Sequence, residues 1–165
     1  MRKAIAFTGP SNSGKTTLIE KIAKRLISSY KLAIIKNDPS DKAVFDKEGK
    51  DSYKFFQTGA EVVVTSPTRT TYFSHRKKEL DEIISMIGDF DLLLVEGLKT
   101  LPLPRIGVFR GKADESYFDY IKAAAVDGSV DKSVIPSFID VLDLNNVDEV
   151  IEWIFKNAEE IKEIK

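Results

Sequence analysis

The chain has 165 residues, a length that suits one domain and allows about two thirds of the unfolded surface to be buried. Its 25 lysines and arginines stand against 26 acids, so no overall field draws in nucleic acid or an anionic membrane, and any anionic ligand must be held locally. The lack of cysteine excludes disulfides, thiolate metal sites and thiol catalysis, and a single histidine excludes most transition-metal ligand sets.

In chain order, residues 4–7 read as a first strand, an apolar run between a basic start and Gly9-Pro10 that is too short for a signal-peptide core. Leu18, Ile19, Ile22, Ala23, Leu26 and Ile27 then recur at helical spacing. Residues 32–35 form a second apolar run, expected to be a parallel strand buried on both faces and reached by a crossover helix. The polar stretch 37–54 follows a parallel strand, a position that favours a functional loop over disorder. Residues 52–57 predict a short helix stopped by Gly59, 60–65 a β-branched strand, 66–69 a turn, and 70–73 the hairpin partner.

A second helical stripe, Leu80, Ile83, Ile84 and Ile87, is closed by Gly88, and 91–97 reads as a central buried strand ending in Glu96-Gly97. Residues 106–109, 123–126 and 138–142 predict further strands. The last helix carries the stripe Val147, Val150, Ile151, Ile154 and Ala158, with acids near its N-terminal end, where the helix dipole favours them. No apolar stretch approaches the roughly 20 residues that cross a bilayer. The expectation is a cytoplasmic protein forming one domain, 1–165, of the α/β class: three layers around a mostly parallel sheet, with the hairpin near 60–73 adding antiparallel strands at one side.

The chemistry concentrates between the first strand and the first helix. Gly9-Pro10-Ser11-Asn12-Ser13-Gly14-Lys15-Thr16 matches the phosphate-binding P-loop pattern in the strand-to-helix context that the pattern requires, a far less coincidental reading than a Gly/Ser-rich turn. The glycines let backbone N–H groups face a triphosphate at the positive end of the helix. Lys15 is expected to reach the β- and γ-phosphates, the Thr16 hydroxyl to ligate Mg²⁺, and Thr17 to complete the nucleotide-contacting run. Glu96, at the end of a buried parallel strand where ligands gather, is the expected second metal-proximal acid, set against a solvated strand-end carboxylate. Asp38 and Asp46 are candidates to meet the metal through water, with a solvated surface role equally open. Arg69, Arg105 and Arg110 are candidates for phosphate or partner contacts, though a lone arginine is more often a surface residue. His75 reads as structural. Trp153, off the main stripe of its helix, marks either an interface or partial burial.

Between these elements stand Phe45-Asp-Lys-Glu-Gly49-Lys50-Asp51-Ser52-Tyr53, then Gln57-Thr-Gly59-Ala60-Glu61, and later Val95-Glu96-Gly97. In that order and spacing, from about residue 3 to about 128, they resemble the molybdopterin-guanine dinucleotide biosynthesis adapter proteins, the MobB family. The resemblance implies a GTP-binding protein of low intrinsic GTPase activity, usually a homodimer, that assists the guanylyltransferase attaching GMP to molybdopterin, with molybdopterin itself a candidate bound ligand. It maps the nucleotide site onto Gly9 to Thr17, with Glu96 near the metal. The family's histidine-rich segment after the second strand is replaced here by Lys36-Asn37-Asp38-Pro39. No Asn-Lys-x-Asp element for guanine is present, and Asp127, after the run 123–126, is the candidate acceptor for the guanine N1 and N2 groups. A small P-loop kinase is the rival enzyme reading, disfavoured because 37–54 contains no arginine to serve as a phosphate lid. A module whose nucleotide state controls its grip on a partner is compatible with the adapter reading.

Overall fold

The computed structural model describes residues 2–161. Its contacts divide the chain into two compact units, one made of the residues up to Asn37 together with those from Ile87 onward, the other of Asp38–Met86.

The first unit is built on a sheet with strand order β2-β5-β1-β6-β7-β8, where β1 is Lys3–Thr8, β2 Leu32–Lys36, β5 Leu92–Glu96, β6 Arg105–Phe109, β7 Ala123–Val126 and β8 Asp140–Asp143. Neighbours along this path pair in parallel, with Phe7 opposite Glu96 and Glu96 opposite Lys36. Helix α1 (Lys15–Leu26) is amphipathic, burying Leu18, Ile19, Ile22 and Leu26, each contributing about 1.5–3 kcal/mol of transfer free energy. These pack with Val150, Ile151, Trp153 and Ile154 of α4 (Val147–Asn157) against Ile5, Phe7, Leu94 and Val108 on one face of the sheet. Over β6 and β7 the opposite face carries Phe109, Ala124 and Val126, covered by Phe118, Ile121, Ile135 and Ile139. The mostly parallel α/β expectation holds.

Two details differ, and the open reading of Trp153 is settled. β2 is an edge strand whose Ile34 is 49% exposed, because β5 takes the place beside β1; an apolar run alone does not distinguish an edge strand from a central one. A short strand, β9 (Glu159–Glu160), pairs antiparallel with the start of β1, and two glutamates carry no strand signal. Trp153 is buried against the core, its indole N–H donating to the Asp140 carboxylate at 2.7 Å, which decides for burial in the monomer.

In the second unit, α2 is Asp51–Phe56, β3 is Val62–Thr65 and β4 is Thr70–Phe73, and α3 (Leu80–Ile87) belongs to it up to Met86. The expected hairpin forms, with Val62 opposite Phe73, but as a two-stranded sheet of its own that adds no strand to the parallel sheet. Glu61 anchors its end, accepting from the Tyr72 hydroxyl, from Ser74 Oγ at 3.2 Å and from the His75 backbone N–H at 3.1 Å. His75 stacks on Phe56 with ring centroids 3.7 Å apart, the structural role expected of it.

Candidate functional site

Residues 9–14 run from the end of β1 into α1 with Gly9 at φ 140°, Asn12 at 62° and Gly14 at 98°. A Cβ on Gly9 would lie 2.4 Å from the Val108 carbonyl oxygen of the neighbouring strand, so only glycine lets the loop pass there. α1 has no side-chain cap and no acid in its first turn, leaving its leading N–H groups free for an anion.

The loop borders a cavity of about 490 Å³ lined by Ser11, Asn12, Gly14, Lys15, Thr16 and Thr17, together with Lys36, Glu96 and Arg110. Three cations face one carboxylate, a balance that suits a polyanion. Lys15 Nζ donates to the Gly9 and Pro10 carbonyls at 3.0 and 2.6 Å. Burial pushes its pKa down, with Glu96 opposing and Lys36 adding to the effect. The Thr16 hydroxyl lies 3.3 and 3.4 Å from the two Glu96 carboxylate oxygens, and Lys36 Nζ is 3.3 Å from one of them. These separations exceed a strong hydroxyl–carboxylate hydrogen bond of about 2.7 Å, and both partners are hard oxygen donors of the kind Mg²⁺ takes. Ser13 Oγ is buried in the loop without a hydrogen-bond partner. The uncapped helix start, the cationic lining, the paired oxygens and the orphaned hydroxyl all fit a phosphate chain with a divalent cation.

Glu96 is held from both sides. The Gly97 N–H donates to Phe7 O at 2.9 Å and the Asn37 N–H to Glu96 O at 3.0 Å. A Cβ on Gly97, at φ 89°, would come within 3.1 Å of Asn37 Cβ. Arg105 then fixes the loop that follows. It is 1% exposed, and its guanidinium donates to the carbonyls of Gly97, Leu98 and Leu101 at 2.7, 2.8 and 3.2 Å. The surface or phosphate-contacting role expected of Arg105 is therefore replaced by a buried brace, because a planar fork of donors satisfies three carbonyls at once.

The other expected residues fall elsewhere. Gly9 and Ser13 form the loop itself, and Pro10 borders a second depression with Lys112, Ala113, Asp114 and Glu115. Asp127 binds Ser129 through its backbone N–H and its hydroxyl, and its second oxygen lies 3.6 Å from Arg110 Nε. These contacts hold its carboxyl below the usual range, the Ser129 hydroxyl contributing most. Asp38 and Asp46 belong to the second unit. There Asp38 accepts backbone N–H groups of Ser40, Lys42 and Ala43, and Asp46 accepts from the Lys47 N–H and the Ser52 hydroxyl. Among the described residues no cluster of His, Asp and Glu forms a further metal site. Sequence reasoning missed Lys36, although it ends a parallel strand as Glu96 does.

The strand-to-loop-to-helix turn at the C-terminal edge of a parallel sheet defines a P-loop α/β protein. Comparison narrows the class. The family model for MobB, molybdopterin guanine dinucleotide synthesis protein B, matches residues 4–127, and the chain belongs to that family. A relative from Methanocaldococcus jannaschii is 31% identical over 163 residues, and the chain spans 94% of itself but 62% of that relative's length. The molybdopterin-guanine dinucleotide biosynthesis adapter protein of Escherichia coli (strain K12) is 32% identical over 171 residues, covering 92% of this chain and 93% of that protein. A crystal structure of molybdopterin-guanine biosynthesis protein B superposes with a TM-score of 0.70 at 25% identity, covering 93% of this chain and 98% of the other.

Proposed function

We propose that the chain is a GTP-binding adapter in molybdopterin guanine dinucleotide synthesis, acting in the cytoplasm as a homodimer beside the guanylyltransferase that attaches GMP to molybdopterin. The observation that carries this reading is the Lys15–Thr16–Glu96 constellation inside a chain of the MobB family. In this reading the backbone N–H groups of 9–17 cradle the phosphates, and Lys15 leaves the loop carbonyls for the β- and γ-phosphate oxygens. Thr16 and Glu96 hold Mg²⁺, which when bound neutralises phosphate charge, and Asp127 accepts from guanine. Lys36 sets the orientation of Glu96.

Slow hydrolysis follows from the lining. The one glutamine of the chain, Gln57, caps the end of α2 in the second unit, and none lines the P-loop cavity to orient water. Arg110, which lines the cavity, also suits a phosphotransferase. Phosphorylation of an acceptor by ATP faster than hydrolysis would favour the kinase reading. The adapter reading is tested by titrating GTP, GDP and ATP with Mg²⁺, with and without the guanylyltransferase and molybdopterin. Preferred GTP binding and faster guanylyl transfer are expected; equal ATP binding with no effect on transfer contradicts it.

A further inference from the structure

The second unit carries a cavity of its own, about 470 Å³, whose lining includes Phe45, Asp46, Ser52, Arg69, Thr71 and Phe73. Nothing in the P-loop site uses it. Asp46 has one carboxylate oxygen engaged by the Ser52 hydroxyl and the Lys47 N–H, both at 2.9 Å, while its Oδ2 is buried without any hydrogen-bond partner. A buried carboxylate oxygen without a donor is costly and calls for one. Phe45, at 83% exposure, presents an aromatic face beside it, and Phe73 contributes a second ring to the lining. Arg69 supplies a cation. Its backbone carbonyl already accepts from Ser66 in the hairpin turn, which holds the segment and leaves the guanidinium for a ligand.

An acceptor that lacks donors, aromatic faces and an arginine together describe a flat heteroaromatic ring with N–H groups on one edge and an anionic substituent. The 2-amino-4-oxopyrimidine edge has such donors and occurs in pterins and in guanine. We propose that this cavity binds a pterin, its N–H edge to Asp46 and its anionic tail to Arg69. The assignment rests on the adapter reading for the choice of pterin, and it places a molybdopterin-type ligand on the second unit.

The test follows the fluorescence anisotropy of 6-carboxypterin titrated with the full chain, with GMP as competitor and GTP binding measured on the same preparation. Wild type is expected to bind the pterin, with affinity at least tenfold weaker in both Asp46→Asn and Arg69→Ala. Arg69→Ala removes no backbone contact, so it remains informative if Asp46→Asn unfolds. Unchanged affinity in Arg69→Ala, or GMP displacing 6-carboxypterin with an inhibition constant below the dissociation constant of 6-carboxypterin itself, overturns the proposal. GTP binding without pterin binding removes this site and leaves the P-loop reading intact; pterin binding without GTP binding supports this site and removes the other.

Discussion

The Thr16 hydroxyl stands within 3.4 Å of both carboxylate oxygens of Glu96, across 80 residues of sequence. Thr16 lies in the first turn of α1 and Glu96 closes β5, so one side of the cavity is made by two neighbouring parallel strands and the helix that follows one of them. On the proposed reading, Glu96→Gln and Thr16→Ala each weaken Mg²⁺-dependent GTP affinity by about tenfold or more, about 1.4 kcal/mol. They leave Mg²⁺-free binding little changed. Calorimetric titrations with and without Mg²⁺ check this, and equal losses in both conditions would remove the metal role.

Arg105→Ala strips the donors from three part-buried carbonyls, those of Gly97, Leu98 and Leu101. The expected loss of stability is about 3 kcal/mol or more, since each orphaned group costs about 1–3 kcal/mol. Arg105→Lys recovers only part of it, because an ammonium lacks the planar fork. Urea unfolding curves measure both.

The two units differ in what the sequence discloses about them. The P-loop is legible because its glycines and Lys15 answer a local backbone demand, and Glu96 because strand ends at one edge of a parallel sheet converge. Arg105 was not, because its role depends on carbonyls supplied by a loop folding back from Gly97 to Leu101. Nor was the edge position of β2, since Ile34 and Ile35 look alike in sequence and only β5 standing between β2 and β1 exposes one of them. The cavity around Asp46 escaped for a similar reason: it joins residues from a polar loop, a short helix and a hairpin that have no common period.

Trp153 offers a direct stability probe. Trp153→Phe removes the indole donor to Asp140 and shrinks a buried ring, with an expected cost of about 1–2 kcal/mol. Asp140→Asn keeps an acceptor and costs less. Thermal unfolding followed by circular dichroism distinguishes the two; equal costs would show that the ionised acceptor, more than ring packing, matters.

Acid weakens the hairpin in a defined window. Hydrogen bonds from Tyr72, His75 and Ser74 lower the pKa of Glu61 from an ordinary 4.5 to about 2, the Tyr72 hydroxyl contributing most. Its folded pKa lies below the unfolded one, so the stabilisation is fully present above about pH 4.5 and is lost as pH falls toward 2. Carboxyl chemical shifts across that range should show Glu61 titrating late, and Glu61→Gln should flatten the acid limb of stability. A Glu61 midpoint near 4.5 would contradict the anchoring role.

The central claim, that the loop from Gly9 to Thr17 holds GTP, is tested most directly by isothermal titration of Mg²⁺·GTP into wild type and Lys15→Ala. Saturable binding to the wild type is expected, with a loss of tenfold or more, about 1.4 kcal/mol or greater, in the variant and the fold retained by circular dichroism. Undiminished GTP binding by a folded Lys15→Ala chain would contradict it.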